Sequence, residues 1–455
     1  MNTETQVAGH RRAGMAAALT LSFLLLLLML WPKYLSFDIG PTRIGPYHFA
    51  VLAALGMVGV MHLRTQRFFR GDDLIALVAI LAFLAFWFVR LLASSIGLDP
   101  GRSVYLVLRE ALMSGSVFLF ALSLGKATDP LRLFTRMMGI AIPIMLMAAL
   151  IEMRQQRTLP DLIFSVLPIQ IDAEFWLDLT LDKIRDGGFR AQSLFTHPIM
   201  YGVVMAGLMP LCAAMTLNAR GYAKTLPLML GLCCVIGVWL SGARSGQLAA
   251  LMGLGAFGAI LLAMNRNTVK FFAVALPFAG LAGIFLYQYV LALIVGRTSN
   301  EQLSSYVRGI MWDYGWPAFL RRPILGHGDG LSLDLAGLKT GYGIRTIDDY
   351  YLTLLLDSGI VGLVLAALFV GTIVIAALTY RASPKEQRLV AGLASGVVAI
   401  AIAQKANSLQ EAVTYIYLFG GLILAARARA SLAARRARRT PVQYAVSQGP
   451  LAAAR

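Results

Sequence analysis

Three arginines sit among neighbours that would let an anion approach closely. Arg190 lies in the segment Gly188–Pro198, Arg244 in Ser241-Gly242-Ala243-Arg244-Ser245-Gly246, and Arg308 in the segment Ser304–Trp312. A guanidinium presents a planar fork of donors that matches phosphate oxygens. Around Arg244, small residues before a helix would leave backbone N–H groups and the positive dipole end facing the same space. A tight Gly-Ser turn with an arginine reaching for the interface is the plainer reading of that segment; phosphate binding is preferred. Ser304, Arg308 and Trp312 are spaced by four and share a helix face. An arginine beside an aromatic platform suits a phosphosugar, and equally a cation–π packing contact. Thr196 can cap the helix that Pro198 opens, with His197 either part of that cap or a substrate contact.

A carboxylate pair supplies the complementary chemistry. Asp348-Asp349 precedes Tyr350-Tyr351 at the start of a long apolar run. One carboxylate is enough to cap a helix. A second, held near arginines, can take the proton of an attacking hydroxyl; which of the two would do so is open. Asp357 lies about two turns deeper, where an unpaired carboxylate is expensive, and should face the bundle interior or water. Arg109-Glu110 within an apolar run reads as a structural intramembrane pair. Gly326-His327-Gly328-Asp329-Gly330 does not lie between a strand and a helix, which argues against a nucleotide loop. Cys212, Cys233 and Cys234 all fall in apolar runs, so neither a disulfide nor a metal site is expected, and no cofactor.

The elements that must position these residues are membrane helices. Hydrophobic residues make up 58% of the chain and charged residues 14%, against about 25% charged in soluble domains. Apolar runs long enough for a hydrocarbon core of about 30 Å recur throughout. The fold class expected is an all-α membrane protein of about twelve transmembrane helices in one domain, residues 1–426, followed by a basic, disordered tail, 427–455. The first run ends in Trp31-Pro32-Lys33-Tyr34, an interfacial anchor, and so reads as a retained span rather than a signal peptide. Further spans are expected near 48–63, 74–93, 103–125, 131–151, 198–217, 226–240, 246–264, 269–295, 350–380, 389–404 and 412–426. The span at 350–380 is too long to be straight and should be tilted, kinked near Gly359 or extended beyond the lipid.

Lysine and arginine distribution orients the bundle. With a cytoplasmic amino terminus, one side collects Arg64, Arg67, Arg70, Arg220, Lys224, Arg266 and the cluster Arg435, Arg436, Arg438 and Arg439, and both termini face the cytoplasm. The net charge of +17 is thus a topology signal beside anionic lipids and calls for no nucleic acid. Two longer segments, about 152–197 and 296–349, then lie outside. The first is acid-rich, with Asp172, Glu174, Asp178, Asp182 and Asp186. The second opens with an amphipathic helix near 301–320 whose apolar stripe is Leu303, Val307, Ile310, Met311 and Tyr314.

In this order, the Arg190–Pro198 segment, the Ser241–Gly246 turn, Arg308…Trp312, Arg322-Pro323-Ile324-Leu325-Gly326-His327-Gly328 and Asp348–Leu363 resemble the O-antigen ligase and Wzy-type polymerase superfamily of bacterial envelope membrane proteins. The resemblance covers about 188–363 by motif and the remaining spans by hydropathy. It implies metal-independent glycosyl transfer on the periplasmic face of the bacterial inner membrane, from a glycan carried on undecaprenyl diphosphate. Carried onto this chain, Arg190, Arg244 and Arg308 would hold the diphosphate, Asp348 or Asp349 with Arg308 would do the chemistry, and Trp312, His197, Tyr350 and Asp357 would contact substrate. Ligases of this superfamily usually show a His-Asn pair where this chain has Asp348-Asp349, which favours a polymerase of exopolysaccharide or O-antigen repeat units over a ligase acting on lipid A–core. A chain-length regulator or export machinery would be its partner. A transporter or flippase ranks third, since no repeat is found and the candidate site is at the outer edge of the membrane rather than its midplane.

Overall fold

Backbone in lipid must satisfy its own hydrogen bonds, which helices do within one segment. The computed structural model describes residues 22–32, 73–166, 187–264, 289–339, 345–408 and 410–447, with shorter pieces between 20 and 56 and between 176 and 185. Among the described residues, nine helices are long and apolar enough to cross a membrane. In chain order come α1 (Leu74–Ser95) and α2 (Pro100–Glu110), which continues through a π-helical turn at Ala111–Gly115 into α3 (Ser116–Ala127). Next are α4 (Pro130–Gln155), the short α5 (Leu159–Val166), α6 (Pro198–Asn218), α7 (Thr225–Leu240) and α8 (Arg244–Met264). The more polar α9 (Ser299–Arg321) and the one-turn α10 (Ser332–Ala336) lead to α11 (Tyr350–Leu378), α12 (Pro384–Ala403) and α13 (Gln410–Ser447). The protein is a multi-pass, all-α membrane protein. Most of the expected spans at 48–63 and 269–295, and Asp172, Glu174, Asp178, Asp182 and Asp186, lie outside the described residues.

Helix α6 is the hub, packed against α7, α8 and α12. Lipid supplies no hydrophobic force between helices, so small residues that let backbones approach carry the packing. At the α6–α12 crossing, a Cβ on Gly396 would lie 2.4 Å from the Gly207 carbonyl oxygen. On the other side of the bundle α1 packs on α11 and α3 on α13, joined by rings such as Phe83 and Phe118, whose centroids are 4.3 Å apart.

The long span is broken where expected. Gly359 has φ 66° and ψ −168°, a backbone conformation open to glycine and costly for other residues. The break frees backbone groups in both halves of α11, and the loop 322–332 satisfies them. His327 and Gly328 N–H donate to the carbonyls of Leu356 and Asp357 at 2.8 and 3.0 Å, while Ile360 and Val361 N–H donate to Pro323 and Ile324 at 2.8 and 3.3 Å.

Two expectations change. The tail from 427 onward continues α13 as helix to Ser447, since alanine and arginine are strong helix formers, and Arg427 ties it to Asp73 at 2.7 Å. The stripe on α9 packs only in part, through Val307 and Met311. Met311, Ala318 and Phe319 are buried against α11, whereas Leu303 and Tyr314 are 58% and 61% exposed. Large apolar residues stand on both the buried and the exposed sides of α9, so a single stripe does not identify the packed face.

Candidate functional site

The polar residues singled out from the sequence gather at one end of the bundle, opposite the Asp73–Arg427 end. The Arg190 segment is fixed first. A short pairing of β3 (Ile184–Arg185) with β4 (Gly188–Phe189), numbered after the hairpin of β1 (Phe37–Ile39) and β2 (Thr42–Ile44), turns the chain toward the bundle. Glu152, fully buried near the end of α4, then accepts backbone N–H bonds from Gln192 at 2.8 Å, Ser193 at 2.7 Å and Leu159 at 2.6 Å. This holds Ser193 at φ 56°, an unusual backbone for a non-glycine residue, with its hydroxyl donating to the Met145 carbonyl at 2.7 Å. His197 caps α6, its Nδ1 accepting from Ile199 N–H at 3.1 Å. Thr196 turns away from the cap and donates to Glu411 at 3.0 Å.

Arg190 and the 241–246 turn form one unit. The buried Arg190 donates from Nε to the Ser241 carbonyl at 3.1 Å, and its stem crosses Gly242, where a Cβ would lie 3.1 Å from Arg190 Cγ. Arg244 opens α8 and reaches across to α9. It donates to the carbonyls of Glu301 at 2.9 Å and Leu293 at 3.3 Å, with Nε 3.7 Å from the Glu301 carboxylate. Arg244 therefore pins the first turn of α9 to the transmembrane bundle.

Helix α9 carries the next groups of the site. Thr298 caps it, accepting from Glu301 N–H at 3.3 Å. Arg308, half-buried, follows two turns later, about 10 Å along the axis from Glu301. One turn further, Trp312 Nε1 donates to Asp349 Oδ2 at 2.7 Å. Asp349 is buried and caps α11, with Oδ1 accepting from Tyr351 and Leu352 N–H at 3.0 and 3.2 Å. The Lys405 ammonium meets Asp349 Oδ2 at 2.5 Å and stands 4.2 Å from the Trp312 ring centre. Asp348 lies half-buried beside this cluster, its N–H directed at Met311 Sδ at 3.4 Å.

Asp357 and Tyr350 lie deeper. Asp357 accepts from Ser332 N–H at 2.8 Å, Gly330 N–H at 3.1 Å and Ser332 Oγ at 3.2 Å, so it clamps the loop across the break in α11. The glycine-rich segment is part of that clamp. Asp329, in the loop, forms a buried ion pair with Arg90 of α1 at 2.6 Å, and Arg90 also contacts Glu110 at 2.6 Å. Burial raises the pKa of the Asp329 carboxyl above its ordinary value, and Arg90 opposes that shift. Glu110 thus pairs with Arg90, while Arg109 lies 5.9 Å from the Tyr105 ring centre; adjacent helix positions point to different faces. The buried Tyr350 packs edge-on to Tyr351.

One sequence comparison bears on this layout. Residues 229–367 match the family model described as O-antigen ligase. That segment belongs to the O-antigen ligase and Wzy superfamily. It contains the 241–246 turn, all of α9, the loop over the broken helix and the Asp348-Asp349 pair. No curated protein is significantly similar to the chain. Three contributors to the site lie outside the O-antigen ligase segment: Arg190 with its Glu152 anchor, Arg90 with Glu110, and Lys405. Sequence reading missed Lys405, Arg90 and Glu152 as site-building residues. Each was visible as an ionisable residue inside or at the end of an apolar run, a position that demands a partner.

Proposed function

We propose that this chain is a membrane glycosyltransferase that polymerises undecaprenyl-diphosphate-linked oligosaccharide repeat units on the periplasmic face of the bacterial inner membrane. The observation that carries this reading is the arrangement along α9, inside the O-antigen ligase segment, of Arg244 at its start, Arg308 in its middle and Trp312 with the aspartate pair beyond. Arg308, with Arg190 and Arg244 shaping the adjoining turn, holds the diphosphate of the donor. As the bond from the anomeric carbon to the diphosphate oxygen breaks, its electron pair stays on the diphosphate, where guanidinium charge stabilises it. The acceptor hydroxyl attacks the anomeric carbon and gives up its proton to a carboxylate. Asp349 already accepts four hydrogen bonds, from two backbone N–H groups, Trp312 and Lys405, so both its oxygens are engaged in holding that cluster. The base is assigned to Asp348, with Asp349 holding the cap, Trp312 and Lys405 in place.

The description of the matched family favours a second reading, ligation of a lipid-linked glycan to lipid A–core. Deleting the gene in its native host separates the two. Accumulated single repeat units support the polymerase; long unlinked polymer with bare lipid A–core supports the ligase. Unchanged polymer length and attachment overturn both.

A further inference from the structure

Three cations gather around one carboxylate at the site end of the bundle. Asp334, in α10, accepts from Arg345 at 2.8 Å and from Arg102 at 3.2 Å. After α10 the chain forms a short antiparallel pair, β5 (Leu338–Lys339) with β6 (Arg345–Thr346), in which Lys339 lies directly opposite Arg345. Leu338 packs against the core between α9 and α11. Side chains alternate along a strand, so Lys339 and Arg345 share the outward face of the pair, and both are exposed, as is Arg102. A further carboxylate, Asp99, is engaged in capping α2, where it accepts from Arg102 N–H at 3.2 Å.

Stability does not account for this group. Like charges directly opposite each other on paired strands are destabilising. The Arg102, Asp334 and Arg345 side chains are 51%, 44% and 45% exposed, and ion pairs so open to solvent contribute little. A guanidinium has five donors, and among the described residues the Arg102 and Arg345 side chains each spend one on Asp334. The arrangement already takes one carboxylate, keeps donors for another and carries excess positive charge.

Its place gives it a use. Arg345 precedes Asp348, the assigned base, by three residues, no more than about 11 Å of extended chain. A glycan held by an acid group at the hairpin therefore keeps its hydroxyls within reach of Asp348. We propose that Arg102, Lys339 and Arg345 bind a carboxylate-bearing glycan, so that the acceptor repeat unit contains a uronic acid. The proposal rests on the polymerase reading, with Asp348 as base, and names its substrate class. A neutral glycan would leave the cations without a partner. An anionic lipid headgroup would meet the same cations but bring no glycan to Asp348.

The test is binding of hexagalacturonate, against uncharged maltohexaose, to the full chain in nanodiscs of phosphatidylcholine. Wild type should bind hexagalacturonate, less tightly as salt rises, and should not bind maltohexaose. Lys339→Ala and Arg345→Ala should each weaken binding by up to about fivefold, and the double variant by about tenfold or more, the scale for exposed charge pairs. In chain extension of a lipid-linked repeat unit, Arg345→Ala should raise KM for a uronate-bearing unit and leave KM for its carboxyl-reduced form unchanged, a split that a folding defect would not give. Equal binding of the two hexasaccharides, or hexagalacturonate binding unchanged in the double variant, would overturn the proposal. Displacement of hexagalacturonate by phosphatidylglycerol added to the discs would overturn it in favour of a lipid headgroup. Extension of acidic and carboxyl-reduced units with equal KM would overturn the substrate class and spare the polymerase reading. Hexagalacturonate bound through Lys339 and Arg345, with neither unit extended, would uphold the glycan site and overturn the polymerase reading.

Discussion

Replacing Asp349 separates a structural carboxylate from a catalytic one. In Asp349→Ala, α11 loses its cap, at about 1 kcal/mol. Trp312 Nε1 loses an ionised acceptor at 2.7 Å, about 1.5–3 kcal/mol. The Lys405 partner is more than half exposed, so solvent screens that pair and its share is below about 1 kcal/mol. The total is about 3–5 kcal/mol, enough to lower the unfolding temperature in detergent clearly. Asp349→Asn keeps a cap oxygen and loses mainly the ionic part, about 1–3 kcal/mol. If Asp349 positions rather than reacts, folded Asp349→Asn should retain glycosyl transfer to within about tenfold. Asp348→Asn, at a general base, should lose about 10²–10⁴-fold. Both variants are measured for unfolding temperature and for chain extension of a lipid-linked repeat unit. A well-folded Asp349→Asn without activity, beside an active Asp348→Asn, would refute this division of roles.

Other outcomes follow from the same contacts. Arg90→Leu leaves Glu110 and Asp329 buried without their cation and should cost about 3–5 kcal/mol, read as a lower unfolding temperature in detergent. Gly359→Ala would place a Cβ 2.2 Å from the Ile324 carbonyl oxygen at a positive φ, and should raise hydrogen exchange across 322–332. Arg244→Ala and Arg308→Ala should abolish transfer while membrane insertion persists, and Arg308→Lys should fail as well if bidentate phosphate contact matters. Activity retained in Arg308→Lys would leave only a point charge there.

Nine helices of spanning length among the described residues, and the kink at Gly359, were legible because length, apolarity and one glycine decide them locally. His197 and Asp349 also stood at helix starts, where a cap is needed, and the structure uses both as caps. What the sequence hid is pairing across distance. Asp329 and Arg90 are 239 residues apart, Asp349 and Lys405 are 56 apart, and no local pattern links either pair. Arg109-Glu110 misled for the converse reason, since sequence neighbours on a helix diverge. The packed face of α9 was obscured because large apolar residues also stand on its exposed side.

The assignment is tested most directly by reconstituting the full chain in proteoliposomes with a single undecaprenyl-diphosphate-linked repeat unit and a metal chelator. Polymerase activity predicts a ladder of longer lipid-linked glycans with release of undecaprenyl diphosphate. Glycan transferred only when lipid A–core is added, or substrate crossing the bilayer with no new glycosidic bond, would contradict it.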